Sequence, residues 1–269
     1  MKDILNKIHH ADCLDFMRQM PDKCVDLVVT SPPYDDLRDY NGYSFDFLNI
    51  TQELYRIIKD GGVVVWVVSD KTINGSESGT SFRHALGFME CGFKLHDTMI
   101  YEKNGMSGLP CKKRYHQKFE YMFILVKGNL KTFNPLIDRQ NKWSSSWGTT
   151  HVREKDGKIS NRKKYEIKEY GMRFNIWKYN TGAKFSTKDM IAYQHPAIFP
   201  EKLAEDHILS WSNVDDVVFD PFMGSGTTAK MAIKTKRNFI GCDISKEYVD
   251  IANKRLDLGV QVELIERKQ

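Results

Sequence analysis

At 269 residues, 41% hydrophobic and 28% charged, with a mean hydropathy of −0.50, the chain can form one large α/β domain with room for an inserted subdomain. No apolar run approaches the ~20 residues that span a bilayer, and the opening Met1-Lys2-Asp3-Ile4-Leu5-Asn6 lacks the apolar core of a signal peptide. Five cysteines (Cys13, Cys24, Cys91, Cys111, Cys242) without a C-x-x-C pair argue against a disulfide framework or a structural zinc site and fit a reducing cytoplasm.

The net charge of +5 is unevenly placed. Residues 129–190 hold 14 Lys/Arg against 6 Asp/Glu, a net +8, whereas the rest, with 26 against 29, is net −3. A localised basic stretch is the footprint of a phosphate-backbone partner.

In chain order, Lys7 to Cys13 predicts a short strand ending at Asp12, and Leu14 to Met20 a brief helix stopped by Pro21. Val25 to Thr30 is β-branched and nearly continuous, which marks a strand buried on both faces of a parallel sheet. Ser31-Pro32-Pro33-Tyr34 ends it with a stiff turn. In open α/β sheets ligands bind beyond the carboxyl ends of strands, where this turn belongs. A polar, aromatic loop, Asp35 to Ser44, could close over a ligand. Phe45 to Lys59 has helical spacing, with Asp60-Gly61-Gly62 as its C-cap. Val63 to Val68 is the next buried strand, and Ser81 can cap a helix running to Cys91. Phe93 to Glu102 and Glu120 to Val126 predict two further strands around a basic loop.

Lys131 to Thr187 breaks the strand–helix rhythm, interleaving Trp143, Trp147, Tyr165, Tyr170, Phe174, Trp177 and Tyr179 with Lys and Arg. An inserted domain of irregular or short-strand structure is expected, with most of these rings forming its own small core. Rhythm returns with a helix from Pro200 to Ser212, the strand Val217 to Asp220, a helix from Thr227 to Lys236, the strand Phe239 to Asp243 and a helix from Glu247 to Leu256. Alternating strands and helices imply a doubly wound, mostly parallel sheet.

Between one strand and the next helix lies Asp220-Pro221-Phe222-Met223-Gly224-Ser225-Gly226-Thr227-Thr228. Gly224 and Gly226 let the backbone approach a ligand, Thr227 or Thr228 can cap the helix, and Asp243 ends the following strand, where a carboxylate can accept ribose hydroxyls. Taken locally, the pattern fits either a dinucleotide or S-adenosylmethionine. The S-P-P-Y turn at another strand end favours the second, because amino-group methylation has a use for it and nicotinamide chemistry has none.

Taken together, these motifs resemble the S-adenosylmethionine-dependent DNA amino-methyltransferases of the permuted β class, in which the catalytic motif precedes the cofactor motif. Thr30 to Tyr34 looks like motif IV, Asp220 to Thr228 like motif I, and His195-Pro196-Ala197-Ile198-Phe199-Pro200-Glu201 like motif X. Asp243 matches the motif II acid, Asp12-Cys13 the end of the adenine-contacting motif III strand, Gly61 to Trp66 motif VI, and Glu120 to Gly128 motif VIII. The resemblance covers nearly the whole chain except about 131–185. It implies a Rossmann-like methyltransferase sheet cut between its second and third strands, so that the last helix runs back toward the first strand.

On this resemblance, 1–128 is the catalytic half, 129–188 a DNA-recognition insert and 189–269 the cofactor half. Ser31, Pro32, Pro33 and Tyr34 are the catalytic residues. Asp12, Cys13, His195, Pro196, Phe199, Asp220, Pro221, Phe222, Gly224, Ser225, Gly226, Thr227, Thr228 and Asp243 hold the cofactor, whose product is S-adenosylhomocysteine; no metal is needed. Double-stranded DNA is the implied substrate, methylated after the base flips out. A homodimer and a cognate restriction endonuclease are further partners that such enzymes have, and the nucleoid is the expected location. Ser rather than Asp at the first motif IV position is the pattern this family associates with N4-cytosine, although its hydroxyl is chemically compatible with N6-adenine. A non-catalytic DNA-binding subunit is the reading from another class, against which Ser31, Tyr34, Gly224 and Asp243 argue.

Overall fold

The computed structural model describes residues 1, 3–33, 45–104, 113–143, 147–148, 151–161, 165–182 and 184–266. They divide into two compact units, Met1–Asn134 with Asn175–Gln269, and Pro135–Phe174.

The larger unit is built on an eight-stranded sheet. Its strands are β1 (Lys7–His10), β2 (Val25–Thr30), β3 (Ile58–Val68), β4 (Lys94–Lys103), β5 (Phe119–Val126), β6 (Ile176–Tyr179), β7 (Val217–Asp220) and β8 (Asn238–Asp243), in spatial order β1-β8-β7-β2-β3-β5-β4-β6. Only β5 runs against its neighbours; all other adjacent pairs are parallel. The helices are α1 (Cys13–Gln19), α2 (Phe47–Ile57), α3 (Thr80–Glu90), α4 (Glu201–Trp211), α5 (Thr227–Lys234) and α6 (Lys246–Glu266).

The uninterrupted apolar runs of β2 and β3 are explained by burial on both faces. Val28, Val64, Trp66 and Val68 join Met17, Leu54, Ile57 and Phe88 from α1, α2 and α3 in one core cluster. The alternate residues Leu27, Val29, Val63, Val65 and Val67 are equally inaccessible but lie outside that cluster, on the face where α4 packs against β2 and β3.

β1, which opens the chain, pairs in parallel with β8, the last strand, from Lys7 opposite Ile240 to His10 opposite Asp243. α6 returns across β1. The two ends of the sequence therefore meet inside the sheet, as a cut between its second and third strands requires. The order also reverses between β7 and β2: β7–α5–β8 winds one way and β2–α2–β3 the other. That reversal opens a crevice at the carboxyl ends of β7 and β2.

Several local expectations are corrected. α2 ends at Ile57 instead of Lys59, and Asp60-Gly61-Gly62 lie within β3. The pairing of Val25 with Ile58 and Leu27 with Val63 makes those residues an irregularity in the strand instead of a C-cap. The helix end is met by Lys127, whose Nζ donates to the carbonyls of Tyr55 at 2.6 Å and Ile58 at 2.9 Å. Gly79, not Ser81, is the N-cap of α3. Asp70 at the end of β3 instead accepts the Ser81 N–H at 3.0 Å and the Ser81 hydroxyl. Although burial opposes it, these bonds and one from Ser78 hold the Asp70 carboxyl below its ordinary range.

The smaller unit is a β-ribbon, narrower than the 129–188 span of the sequence reading. Its rungs nest: Arg139–Gln140 with Tyr170–Gly171, Trp147–Gly148 with Tyr165–Glu166, and His151–Arg153 with Ile159–Asn161. The tip closes with the Glu154 N–H donating to the Lys158 carbonyl at 2.8 Å. Two strands have no second layer, so the expected aromatic core is absent among its described side chains. Trp143 is 74% exposed and Phe174 65%, the latter lying under the Arg139 guanidinium at 4.3 Å. Trp177 and Tyr179, expected in the insert, alternate inward from β6 and are buried in the larger unit.

Candidate active site

The site begins where β2 and β7 end side by side. Thr30, the last residue of β2, is buried and its hydroxyl donates to Asp220 Oδ1 at 2.6 Å. The same oxygen accepts the Phe222 N–H at 3.0 Å. Thr228, in the first turn of α5, donates its hydroxyl to the Val29 carbonyl at 3.1 Å. These bonds tie the strand that carries Ser31-Pro32-Pro33 to the strand that carries the glycine turn. Burial pushes the Asp220 carboxyl up to about 6 despite its hydrogen-bond donors.

The glycine turn is shaped by backbone that other residues resist. Gly224 has φ +50° and Gly226 φ +80°. A Cβ on Gly224 would meet His195 Nε2 at 3.1 Å, and one on Gly226 would meet Ala252 Cβ at 2.9 Å. Gly224 donates its N–H to Asp243 Oδ2 at 2.8 Å, and Ser245 donates to Oδ1 at 2.9 Å. Burial raises the Asp243 carboxyl, which those two donors moderate. Each oxygen keeps a second lone pair for a ligand.

A cavity of about 1510 Å³ lies over these strand ends. It is lined by Asp12, Cys13, Ser31, Pro32, Pro33, His195, Pro196, Phe199, Asp220, Pro221, Phe222, Gly224, Ser225, Thr227, Thr228 and Asp243. The residues singled out at five separate stretches of sequence (12–13, 31–33, 195–199, 220–228 and 243) thus share one space. Asp12 also caps α1, its Oδ1 accepting from Leu14 N at 2.9 Å and Asp15 N at 3.1 Å. Burial pushes the Cys13 thiol up to about 12, so it is a neutral wall residue. His195 Nδ1 is engaged by the Ala197 backbone, and its ring meets Tyr248 edge-on at 4.2 Å.

Two expectations come out differently. Gly226 does not line the cavity; it lets α6 approach the back of the turn. Neither Thr227 nor Thr228 caps α5, whose N-cap is Gly226 without a side-chain bond. Tyr34 and the loop Asp35–Ser44 lie outside the described residues.

Other lining residues were not singled out. Ile244 and Ser245 follow Asp243 directly and Tyr248 lies in the first turn of α6, so the end of β8 was their available signal. The cavity is also lined by Phe45, His84, Tyr101, Lys103 and Glu120, from α3, β4, β5 and the residue before α2's cap. His84 stacks on Phe47 at 4.1 Å and accepts from Trp66 Nε1 at 3.1 Å, while Lys103 pairs with Glu120. No local motif marked these positions; the sheet order brings them there.

The sequence matches the DNA methylase family N6_N4_Mtase over residues 25–254. The chain belongs to that family. It is 64% identical over 240 residues to the orphan methyltransferase M.BamHII of Bacillus amyloliquefaciens, covering 87% of this chain and 89% of that protein. The fold is similar to that of the PvuII DNA methyltransferase (cytosine-N4-specific), with TM-score 0.66, 19% identity, and 91% and 84% of the two chains covered. It is also similar to TTHA0409 of Thermus thermophilus complexed with S-adenosyl-L-methionine, with TM-score 0.61, 24% identity, and 93% of both chains covered. S-adenosylmethionine is the cofactor of this DNA methyltransferase family, and the cavity's donor set suits it: one buried carboxylate with spare lone pairs, a close-approach glycine turn and aromatic and apolar walls.

Proposed function

We propose that this chain is a site-specific DNA methyltransferase that methylates the exocyclic N4 amino group of a flipped-out cytosine. The observation that carries the reading is that Ser31 and Pro32 share one cavity with the glycine turn and Asp243. The serine at the head of the turn, the pattern associated with N4-cytosine, supports the choice of base.

An exocyclic amino nitrogen is a poor nucleophile because its lone pair is conjugated into the ring. Ser31 Oγ and the Pro32 carbonyl accept its two hydrogens, which favours a pyramidal nitrogen, and the two prolines hold both acceptors in place. Tyr34 stacks on the flipped base, whose extrusion costs a few kcal/mol. Asp243 takes the ribose hydroxyls of the cofactor, Gly224 and Ser225 admit its amino-acid end, and Asp12, Cys13, His195, Pro196 and Phe199 wall it. When bound, S-adenosylmethionine supplies an electrophilic methyl group on a sulfonium.

The β-ribbon of Pro135–Phe174 is the DNA-recognition element in this reading. A two-stranded ribbon fits a major groove, and residues 139–171 carry nine Lys/Arg against four Asp/Glu. Among the described residues no helix is long and apolar enough to cross a membrane, and action on nucleoid DNA places the enzyme in the cytoplasm. The 64% identical M.BamHII is an orphan methyltransferase, which favours a solitary enzyme over one paired with an endonuclease; a homodimer belongs to the same reading.

Mass spectrometry of nucleosides from DNA methylated by the pure protein tests the base. N4-methylcytosine is expected. N6-methyladenine alone would overturn the cytosine assignment and leave the methyltransferase, and transfer to RNA or protein with DNA inert would overturn both.

A further inference from the structure

The side chain of Arg255, on α6, is fully buried although it is charged, and it is not itself among the residues that line the cavity. A buried guanidinium is tolerated only when its donors are all taken. Here they are. Nε donates to Asp189 Oδ2 at 2.7 Å. Nη1 donates to the Ser225 carbonyl at 2.9 Å and to Thr227 Oγ1 at 3.0 Å, with Ser225 Oγ at 3.3 Å. Nη2 donates to Glu201 Oε1 at 2.6 Å and Thr187 Oγ1 at 3.2 Å.

Lys230 of α5 completes the cluster, reaching Asp189 at 2.7 Å and Glu201 at 2.8 Å. Two cations thus meet two anions. Burial would raise the Asp189 and Glu201 carboxyls, but Lys230 and Arg255 hold both below their ordinary range.

The partners belong to two separate segments of chain, each of which contributes residues to the cavity's lining. Ser225 and Thr227 belong to the glycine turn, while Thr187, Asp189 and Glu201 flank the segment that carries His195, Pro196 and Phe199. We infer that Arg255 is a positioning residue for the methyl donor: one planar fork behind the site fixes the glycine turn against the 187–201 segment, so that both walls present a single preformed pocket. This rests on the assignment of that pocket to S-adenosylmethionine. Lysine cannot replace the fork, because a single ammonium cannot reach both walls in a fixed geometry.

The test uses the full-length protein and S-adenosylmethionine itself, with affinity by calorimetry, KM for cofactor and DNA separately, kcat, and thermal melting. Arg255→Lys is expected to raise the dissociation constant and KM for S-adenosylmethionine at least tenfold, with KM for DNA within twofold and kcat at saturating cofactor within threefold. Lys59→Met is the control for general destabilisation, since it breaks the pair of Lys59 with Asp26 at the opposite end of β2. It should lower the melting temperature and leave cofactor affinity unchanged. Thr187→Val, a milder cut in the same cluster, should weaken cofactor binding in the same sense and serves if Arg255→Lys fails to fold. Cofactor affinity within twofold of wild type in the Arg255 or Thr187 variant, or an equal loss in Lys59→Met, would overturn the proposal. Asp243→Ala is expected to abolish cofactor binding; wild-type affinity there would instead refute the assignment of the pocket.

Discussion

Asp220→Asn isolates the electrostatic cost of the junction between β2 and β7. In the wild type the carboxyl is buried, accepts from Thr30 and Phe222, and is pushed up to about 6 from an ordinary 3.8. A group whose pKa is higher folded than unfolded binds more protons when folded. Its stabilising contribution is therefore complete below pH 3.8 and is lost as pH rises through 6. The shift corresponds to about 3 kcal/mol in all, of which linkage assigns about 1.4 kcal/mol to the interval between pH 5 and pH 8. Asparagine keeps an Oδ1 acceptor for both donors but does not titrate. Its stability relative to wild type should accordingly rise by about 1.4 kcal/mol from pH 5 to pH 8, with every other titrating group, Asp243 included, common to both proteins. Urea unfolding of the two proteins across this range measures the difference directly. A difference that is flat with pH, or that falls as pH rises, would refute a buried, proton-retaining Asp220.

Removing the Ser31 hydroxyl by Ser31→Ala should cut kcat by about 100-fold, as loss of one preorganised polar contact to a reacting group commonly does, and should leave cofactor affinity intact; turnover within threefold of wild type would remove Ser31 from the reaction. Gly226→Ala must place a Cβ 2.9 Å from that of Ala252 at φ +80°. Strain and overpacking together should cost about 2–4 kcal/mol by chemical denaturation, and a loss below 1 kcal/mol would show that α6 does not press on the turn. Replacing Lys155 and Lys158 at the ribbon tip by Ala should weaken DNA binding and flatten the slope of log K against log salt by about 1–2, with cofactor affinity unchanged. An unchanged slope would place the phosphate contacts elsewhere.

The sequence was informative where one local rule decides the outcome. Double-sided burial makes β2 and β3 continuous apolar runs, and a strand–turn–helix register makes the glycine turn readable at Gly224 and Gly226. It was less so where a distant charge decides. The end of α2 looked like a glycine C-cap because Lys127, some 70 residues on, could not be seen to reach the Tyr55 and Ile58 carbonyls. The aromatic residues of 131–187 looked alike in sequence, yet Trp177 and Tyr179 were claimed by β4's free edge and Trp143 was left exposed. Arg255 carried no motif at all; in sequence it is one basic residue on an amphipathic helix.

That last omission follows from the permutation itself. With β1 hydrogen-bonded to β8, the cavity draws on both ends of the chain: Asp12 and Cys13 come from the start of α1, just after β1, and Tyr248 from α6. A glycine turn read in isolation supplies one wall. The opposing wall at 187–201 precedes it in sequence and has only a short 3-10 helix before α4, so it has little regular structure to hold its own position. Something buried must register the two, and a residue on the terminal helix, packed behind the turn through Gly226 and Ala252, is placed to do so. The contact that lets α6 approach the turn and the guanidinium that joins the turn to its facing wall therefore belong to one arrangement. Its signature is that Gly226→Ala, which touches no ligand, should weaken the cofactor pocket in the same direction as Arg255→Lys.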